Sequence, residues 1–522
     1  MKKYFILFLA VGFVLVNCKK KDDAPVPTEN VDPMEDPMED PMEDPMEDPK
    51  TVADYPVQDF MWQTMNAYYF WQSDVADLAD TKFTGPEDPT YVAFLGSRPD
   101  PADFYYNICY MHENIVGQVG AIDRFSFHSE NYQDLVQAFQ GVSKSDGLEF
   151  GLGLYGSADD VFGFVHYVVP NSSASQQDIK RGDFFIGVDG QNLNLDNYID
   201  LLFGDNDTYT LNMADVENNT ISPNNKEVTL TKEEGFLENP ILISKVLEVQ
   251  GQKIGYLMYN SFVADFDDEL NVKFGEFAAA GITDLILDFR YNGGGRVSSA
   301  IQIASSIYGA NTDEVFLRSR YNDKLQATLS EDFLARNFVD KTFDSETTLN
   351  VLGLNRVFVI ATDRTASASE LVINGLRSYI QVIHVGTTTV GKNEFSNTFV
   401  DDPDNGNFYD PDREANINPN NQWAIQPLLG RSENADGFSD YTAGLMPDHE
   451  LSEDLTNFGV LGEEDEPLLM KTLDVITGSS KRSFVPLFPA EYVGDSKMLR
   501  PNTGIMLMDG LLEGPKPILS TQ

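Results

Sequence analysis

The chain has little of three residue types that often carry chemistry or hold a fold together. Its 522 residues include two cysteines, three tryptophans and five histidines, the last being His112, His128, His166, His384 and His449. Two cysteines allow at most one disulfide bond, which excludes a fold held together by a disulfide framework. The few histidines leave little choice for histidine-based catalysis.

Positive charge is also scarce. There are 36 Lys and Arg residues against 83 Asp and Glu residues, which gives a net charge of −47. Such a balance argues against nucleic acid or an anionic membrane as a charge-recognised partner. It is typical of an exported, highly soluble protein. With 42% hydrophobic residues, the chain has material for large cores, and its length indicates about three domains.

Long hydrophobic runs are absent after the first 18 residues. Lys2 and Lys3 precede the apolar run Tyr4–Val16, which is too short for a membrane-spanning helix and is typical of an export signal. The run ends in Leu-Val-Asn-Cys18, which resembles a bacterial lipobox with Asn17 in place of the usual small residue. We therefore predict a lipoprotein signal peptide at residues 1–18 and lipidation at Cys18. An ordinary secretory signal is the alternative.

Residues 19–50 are of low complexity. The unit Asp-Pro-Met-Glu repeats from Asp32 to Glu47, and a proline at every fourth position forbids a helix. We predict a disordered, acidic tether, with metal binding by its carboxylates as the minor alternative. The segment Lys19–Asp23 resembles the lysine-then-acid signal of some Bacteroidetes surface lipoproteins. The predicted location is the outer membrane, on the cell surface or on the periplasmic face.

Ser367 lies in the run Thr-Ala-Ser-Ala-Ser-Glu, followed by an apolar, helix-like stretch. Small residues allow a substrate backbone to approach, and a helix N-terminus favours a developing anion. Lys392 follows after enough residues for a helix and a strand, so its side chain can return to the serine. His384, the one histidine of this segment, lies mid-strand, where a mobile base is not expected. A buried lysine with a lowered pKa can serve as the base; a helix cap followed by a surface lysine is the alternative.

The motif Asp284–Gly295 is a buried strand that runs into three glycines. Glycines expose backbone N–H groups without obstruction by side chains, as an oxyanion hole requires. A phosphate-binding loop is disfavoured because Lys and Ser or Thr do not follow the glycines in the required order. A plain strand-to-helix turn is the other alternative.

These two motifs, in this order, resemble the signature of the carboxyl-terminal processing proteases, the S41 serine peptidases. The resemblance implies an α/β fold with a crotonase-like (ClpP/crotonase) peptidase core at residues 239–478, a helical N-terminal domain at residues 54–140, and no metal or cofactor. It implies that Ser367 is the nucleophile and Lys392 the base. The backbone N–H groups of Gly295 and Ala368 would form the oxyanion hole, with Gly294 as the near alternative to Gly295.

A PDZ-like domain is expected at residues 143–234. The segments Val168–Ser175 and Asp178–Gly190 resemble the second half of such a domain, and Leu148–Leu154 is a candidate carboxylate-binding loop with an edge strand. PDZ modules bind peptide C-termini by adding the peptide to a sheet edge. Polypeptides are therefore the expected partners, in part through their C-termini. A β-rich spacer without binding activity is the alternative.

The sequence departs from the family at one position. The Gln or Glu that often lies four residues after the lysine is Ser396 here. Its hydroxyl can accept a hydrogen bond from the amine, whereas the nearby Glu394 would raise the lysine pKa. The third catalytic residue therefore stays unassigned. The competing hypothesis is an inactive, peptide-binding lipoprotein on the same fold.

Three further features have no part in this chemistry. Cys109, in an apolar stretch, is expected in the core. Asp402, Asp404 and Asn407 lie in a loop that lacks the bidentate glutamate of an EF-hand, so a plain surface loop is expected rather than a calcium site. The C-terminal extension, residues 479–522, and the oligomeric state receive no assignment.

Overall fold

The computed structural model describes residues 49–155, 159–217, 220–479, 491–500 and 503–508. The expected signal peptide, Cys18 and almost the whole tether lie outside these residues. Within the described part of the chain, no helix is long and apolar enough to cross a membrane.

The N-terminal region is mainly helical, as the sequence predicts. Three of its helices begin with a proline at the first position, where the missing N–H costs nothing. Asp88 and Asp100 cap two of them by accepting bonds from backbone N–H groups at 2.8 and 2.9 Å. The elements are α1 (Pro56–Tyr68), α2 (Pro89–Leu95), α3 (Pro101–Asn107), α4 (Glu113–Val116), β1 (Phe127–Ser129) and α5 (Tyr132–Phe139). Cys109 is buried among them.

A region rich in β-strands, called the β domain below, follows. Its elements are β2 (Val142–Ser145), β3 (Leu148–Leu154), β4 (Val161–Val168), β5 (Phe184–Val188), β6 (Gln191–Asn192), α6 (Tyr198–Phe203), β7 (Thr208–Glu217), β8 (Thr220–Thr231) and β9 (Glu233–Leu237). Strands β3, β4, β5, β7 and β8 are neighbours in that order in one antiparallel sheet. The two strands of a separate pair, β2 and β9, close the region.

The remaining helices and strands form the core region. They are β10 (Ile241–Val249), β11 (Gln252–Tyr259), α7 (Asp267–Ala280), β12 (Asp284–Asp288), β13 (Gly294–Arg296), α8 (Val297–Tyr308), β14 (Val315–Tyr321), α9 (Asp323–Gln326), α10 (Glu331–Leu334), β15 (Ala335–Asn337), β16 (Arg356–Ala361), α11 (Ala368–Leu376), β17 (Gln381–Gly386), β18 (Glu394–Ser396), β19 (Phe399–Val400), β20 (Ala424–Gln426), β21 (Leu428–Asn434), β22 (His449–Glu450) and α12 (Pro467–Thr477).

The central sheet of this core has the order β10-β11-β12-β16-β17-β22. Only the β10–β11 pair is antiparallel. Helices α7, α8 and α11 alternate with the strands, which confirms the βα units expected from the sequence. Because parallel strands are covered on both faces, β12 is buried throughout with the apolar run Leu285–Leu287 at its centre, and β16 is apolar and buried after Arg356.

Two short strands from the C-terminal extension enter the sheets of the rest of the molecule. They are β23 (Glu491–Asp495) and β24 (Ile505–Leu507). β23 pairs antiparallel with β3, so β3 is not the free edge strand that the sequence predicted. β24 lies between β13 and β18 in a second core sheet of order β13-β24-β18-β21-β14-β15.

Buried ion pairs join the β domain to the core. Arg290 is fully buried and pairs with Asp288 at 2.7 Å and with Glu466 at 2.6 Å. Arg181 of the β domain reaches Glu453 of the core at 2.7 Å. Although burial raises the pKa of Glu453, the two arginines outweigh burial and lower this pKa well below its usual range. Buried charges of this kind are tolerated because each has a partner.

Candidate active site

Ser367 stands at the turn between β16 and α11. It is the N-cap of α11, and its φ of +64° lies in a region that non-glycine residues rarely adopt. The preceding loop is fixed by threonine hydroxyls: Thr362 donates to the carbonyl of Arg290, and Thr365 donates to that of Phe289 at 2.7 Å. The residues that follow β12 within the motif Asp284–Gly295 therefore support the turn that presents the serine.

The Ser367 hydroxyl is buried and has no hydrogen-bond partner among the described residues. A buried hydroxyl without a partner is costly and therefore uncommon away from functional sites. The hydroxyl is thus available to a group that this structure does not contain.

Lys392 is 1% exposed, and burial to this extent is uncommon for a lysine side chain. Burial lowers the pKa of Lys392 to about 7, although the carboxylates of Glu394 and Asp123 act in the opposite direction. The Nζ atom lies 4.7 Å from the centre of the Phe125 ring and donates a hydrogen bond to the carbonyl of Gly504. A lysine with such a pKa is substantially neutral near neutral pH and can accept a proton.

Glu370 ties the serine segment to the lysine segment. One carboxylate oxygen accepts the backbone N–H of Ser367 at 2.8 Å and that of Lys392 at 2.9 Å. The other accepts the N–H of Gly391 at 2.7 Å and the hydroxyl of Thr389. Because both backbone nitrogens bind one oxygen, the two segments are held side by side. Burial raises the pKa of Glu370, and these donors partly offset the rise.

The glycine strand lies directly beside the serine. A Cβ atom placed on Gly294 would come within 2.7 Å of Ser367 Cβ, whereas one on Gly295 would meet the carbonyl of Phe262 at 2.3 Å. Both positions have positive φ and require glycine. Asn292 joins the two motifs: its side chain accepts the N–H of Gly294 at 2.9 Å, and its carbonyl accepts the N–H of Ala366 at 3.1 Å.

Of the expected oxyanion groups, Gly294 is the glycine whose side-chain position faces Ser367. Ala368 is the first residue of α11, so its N–H has no partner within the helix. This end of the helix also carries the positive pole of the helix dipole. The assignment of Gly295 and Ala368 as oxyanion donors stays a prediction.

The hydroxyl of Ser396 does not contact the lysine amine as the sequence suggested. It accepts a hydrogen bond from the side chain of Gln426 at 3.0 Å, and the amine donates to Gly504 instead. The carboxylate of Glu394 pairs with Arg431 at 3.1 Å. This pairing explains why a neighbouring acid coexists with a lowered lysine pKa.

Two other residues have no part in this chemistry. His384 is buried in β17, as the sequence predicts, with its Nε2 atom 3.1 Å from the carbonyl oxygen of Ala361. Asp402, which the sequence placed on a surface loop, is buried instead, and its carboxylate pairs with Arg413 at 2.8 Å. No cluster of three or more His, Cys, Asp or Glu residues suited to a metal occurs among the described residues.

Three contributors were missed by sequence reasoning. The spacing Ser367-x-x-Glu370 is that of a capping box, so the role of Glu370 in holding the helix start had a signal. Phe125 and Gly504 had none, because each reaches Lys392 from a distant part of the chain.

Two protein-family models match parts of the chain. Residues 253–428 match the family model described as peptidase family S41, and residues 56–127 match the peptidase S41 N-terminal domain. The first match contains the glycine motif, Ser367 and Lys392.

Two curated relatives are similar over part of their length. The chain is 22% identical over 359 residues to a carboxyl-terminal-processing protease from a Picosynechococcus species, over 67% of this chain and 74% of that protein. It is 26% identical over 252 residues to a chloroplastic C-terminal processing peptidase from Tetradesmus obliquus, over 45% of this chain and 49% of that protein.

A solved structure has the same fold. It is a Bacteroides fragilis protein proposed to be an S41 protease, with a TM-score of 0.58, 23% identity, and coverage of 81% of this chain and 97% of that one. Because both S41 models match the chain and processing proteases are among its relatives, the chain is a serine-type peptidase similar to family S41 over the matched residues.

Proposed function

We propose that the protein is a cell-envelope endopeptidase in which Ser367 and Lys392 form a catalytic dyad. The observation that carries this proposal is the buried Lys392 amine, whose pKa is lowered to about 7, on a segment that Glu370 joins to the segment of Ser367. The hydroxyl of Ser367 is buried and has no hydrogen-bond partner among the described residues. A lysine with a lowered pKa is partly neutral and can accept a proton, whereas a lysine in a salt bridge stays protonated and cannot.

In the proposed reaction, Ser367 Oγ attacks the carbonyl carbon of the scissile peptide bond. Its proton passes to the neutral Nζ atom of Lys392. The tetrahedral intermediate collapses, the C–N bond breaks, and Lys392 returns the proton to the leaving amine. Water then attacks the carbonyl carbon of the acyl-enzyme and gives a proton to Lys392. The ester C–O bond breaks, Lys392 passes this proton to Ser367 Oγ, and the acid leaves from the regenerated enzyme.

The developing oxyanion would be stabilised by backbone N–H groups. Ala368 offers one at the N-terminus of α11, and Gly295 offers the other, with Gly294 as its alternative. Such donors commonly contribute about 3 kcal/mol each to the transition state. The core around these groups, residues 239–478, is proposed to be crotonase-like.

The substrates are proposed to be polypeptides engaged in part through their C-termini. The β domain supports this proposal because β3 is the end strand of the sheet that the domain itself forms, and it pairs with an added strand, β23, as an end strand pairs with a peptide in PDZ modules. The names of the two processing relatives point in the same direction.

The location is proposed to be the cell envelope. The export signal, Cys18 and the acidic tether at residues 19–50 support a lipid-anchored enzyme held away from an outer membrane. Two or more acyl chains anchor a protein stably, whereas one binds only marginally.

The second candidate is an inactive, peptide-binding lipoprotein. Its one supporting observation is Ser396, whose hydroxyl contacts Gln426 and leaves the lysine without the usual orienting group.

Hydrolysis of peptides by single and double variants separates the two candidates. Ser367→Ala and Lys392→Ala should each lower kcat by about 10³-fold or more, and the double variant should be no worse than either single variant, because the pair acts as a unit. Ser369→Ala is the matched control and should stay active. Hydrolysis by the wild type no faster than by Ser367→Ala and no faster than the uncatalysed reaction would support the inactive candidate.

A further inference from the structure

Ser367 and Lys392 are closed to substrate in this structure. Ser367 is 0% exposed and Lys392 is 1% exposed. An endopeptidase must admit an extended chain to its nucleophile and base, so something that covers them has to move. The covering element is the C-terminal segment, defined here as residues 491–500 and 503–508.

The second part of this segment lies in the cleft as a strand. β24 pairs parallel with the glycine strand β13 through Gly294, Gly295 and Arg296. On its other side it meets β18, where Met508 N–H donates to the carbonyl of Ser396 at 2.9 Å. Residues 505–508 are all nearly fully buried. A substrate strand cannot lie against β13 while β24 is there.

The backbone of β24 also contacts the catalytic groups. Lys392 donates its amine hydrogen to the carbonyl of Gly504. The next carbonyl, that of Ile505, lies 2.4 Å from the place a Gly294 side chain would take, beside Ser367. A peptide carbonyl is the group that a substrate would bring to this site. The segment therefore occupies the place of a substrate backbone.

The first part of the segment occupies the peptide-accepting edge of the β domain. β23 pairs with β3 from Glu491 opposite Leu154 to Asp495 opposite Gly151. Ser496 continues the pairing: its N–H donates to the carbonyl of Phe150 at 2.9 Å. A cleft of about 450 Å³ beside β3 and α6 is lined in part by Ser496, Leu499 and Arg500.

One buried ion pair fixes this part in place. Arg500 lies 2.6 Å from Glu149 and 3.6 Å from Glu238. Glu149 is 1% exposed and also accepts the hydroxyl of Ser496. A buried carboxylate requires a partner, and the C-terminal segment supplies it.

We propose that the C-terminal segment is an intramolecular inhibitory peptide. It occupies the β3 edge and the cleft between β13 and β18 together, and its displacement opens the enzyme to substrate. This inference rests on the proposed peptidase function. It also names the substrate class: an extended peptide long enough to engage both places.

The chain order within the segment favours an inhibitor over a self-processing substrate. A substrate held at β3 by its C-terminus would reach Ser367 with residues that precede the bound ones. In the C-terminal segment the order is reversed, since β23 precedes β24. The segment thus blocks both places without presenting a C-terminal processing site.

The expected inhibition follows from effective concentration. A segment on a short linker is present at its own binding site at an effective concentration of about 1 mM. If the free peptide binds with a Kd of about 0.1 mM, roughly ten closed molecules exist for each open one. Release of the segment should therefore raise peptide hydrolysis by about tenfold.

The experiment uses the full chain with a site for a sequence-specific protease inserted between Gly478 and Glu491. The chain folds before it is cut, so removal of the segment does not interfere with folding. Hydrolysis of a fluorogenic peptide is measured before the cut, after the cut and removal of the segment, and after addition of a synthetic peptide of residues 491–508. We expect a rise of about tenfold on removal and competitive inhibition by the added peptide, but not by a scrambled one.

A point variant tests the same proposal without a cut, in case the segment stays bound to the enzyme after cleavage. Arg500→Glu places a carboxylate against Glu149 and Glu238 and should release the segment in the uncut chain, with a similar rise in hydrolysis. Arg318→Glu is the matched control, because it reverses the charge of an exposed ion pair with Glu331. It should leave the rate unchanged.

The possible failures are distinguishable. Equal, measurable hydrolysis with and without the segment, and in Arg500→Glu, overturns the inhibitory role and leaves the peptidase function intact. Absence of hydrolysis in every form, with no reaction of Ser367 towards a fluorophosphonate, overturns the peptidase function and the inhibitor with it.

Discussion

Ser367 adopts a φ of +64°, a backbone region that costs a non-glycine residue about 1–2 kcal/mol. Hydrogen bonds of Thr362, Thr365 and Asn292 around the turn from β16 into α11 offset this cost. Lys392 is likewise held in an unfavourable state, since burial opposes its charge. Two destabilised residues on segments joined by Glu370 indicate a site organised for chemistry rather than for stability.

The dyad makes a prediction about pH. Because the base must be neutral, kcat/KM should rise as pH increases through about 7, the lowered pKa of Lys392. His384→Gln should keep this profile, since His384 is buried in β17 and bonds a backbone carbonyl. The profile is measured with one peptide for both proteins, with circular dichroism as the control for folding. Loss of the rising limb in the histidine variant alone would point to histidine as the base.

The sequence indicates Ser367 and Lys392 as the candidate dyad, which stays a prediction, but it does not indicate the surroundings of these two residues. Ser367 and Lys392 lie close together in the chain, within one motif. Phe125 and Gly504 approach the amine from an N-terminal loop and from the C-terminal extension, and no local pattern marks such contacts.

At the scale of elements, the start of α11 and the loop after β17 act as one unit through Glu370. Its carboxylate accepts three backbone N–H groups and one hydroxyl. A carboxylate at this position also favours the helix N-terminus by charge. The distance between nucleophile and base thus depends on a side chain that takes no proton in the reaction.

Glu370→Gln tests that dependence. The amide keeps the shape but places an NH₂ group against N–H donors, so we expect a loss of about 2 kcal/mol in the free energy of unfolding and a lower kcat with little change in KM. Glu276→Gln, at an exposed site on α7, should stay within about 0.5 kcal/mol of the wild type. Urea unfolding and peptide kinetics measure both. Unchanged kcat in a destabilised Glu370→Gln would limit the residue to a structural role.

The elements themselves were predictable to differing extents. The strand at residues 253–259, the helix at residues 266–280 and the strand at residues 285–289 matched the structure closely. The two strands are short, largely apolar runs, and the helix has apolar residues at the helical spacing Leu270, Phe274 and Phe277. β23 and β24 were not predicted. They are five and three residues long, and their extended form comes from pairing with β3 and β13, not from their own composition.

At the scale of the whole molecule, the described residues from Lys50 onward form one compact unit. Arg181 and Glu453 link the β domain to the core, and the C-terminal segment runs from one to the other. The proposed peptide binding at the β domain would therefore influence access to Ser367. The order of the regions along the chain could be predicted from the family motifs. The path of the C-terminal segment could not, because no motif marks it.

Recognition of a free C-terminus is tested by amidation of the substrate. If β3 binds a carboxylate, amidation should lower kcat/KM by about tenfold, the usual worth of one charge-assisted hydrogen bond. The measurement is made in Arg500→Glu, so that the C-terminal segment does not compete. Acetylation of the substrate N-terminus is the control and should have no effect. Identical kinetics for acid and amide would remove carboxylate recognition.

The membrane anchor makes its own prediction. Cys18→Ala should move the protein from the membrane fraction to the soluble fraction, because lipidation is proposed to provide the anchor. Cys109→Ala is the matched control and should stay with the membrane. Treatment of intact cells with an external protease distinguishes surface exposure from the periplasmic face. Retention of Cys18→Ala in the membrane would contradict the lipid anchor.

The most direct test of the central claim is to find which residue reacts with a fluorophosphonate. Wild type and Arg500→Glu are labelled at pH 8, digested, and mapped by tandem mass spectrometry. We predict one adduct on Ser367, faster labelling in Arg500→Glu, and labelling slowed by about 10³-fold or more in Lys392→Ala. An adduct that persists at the same rate in Ser367→Ala, or one found on Ser369, would contradict the assignment of Ser367 as the nucleophile.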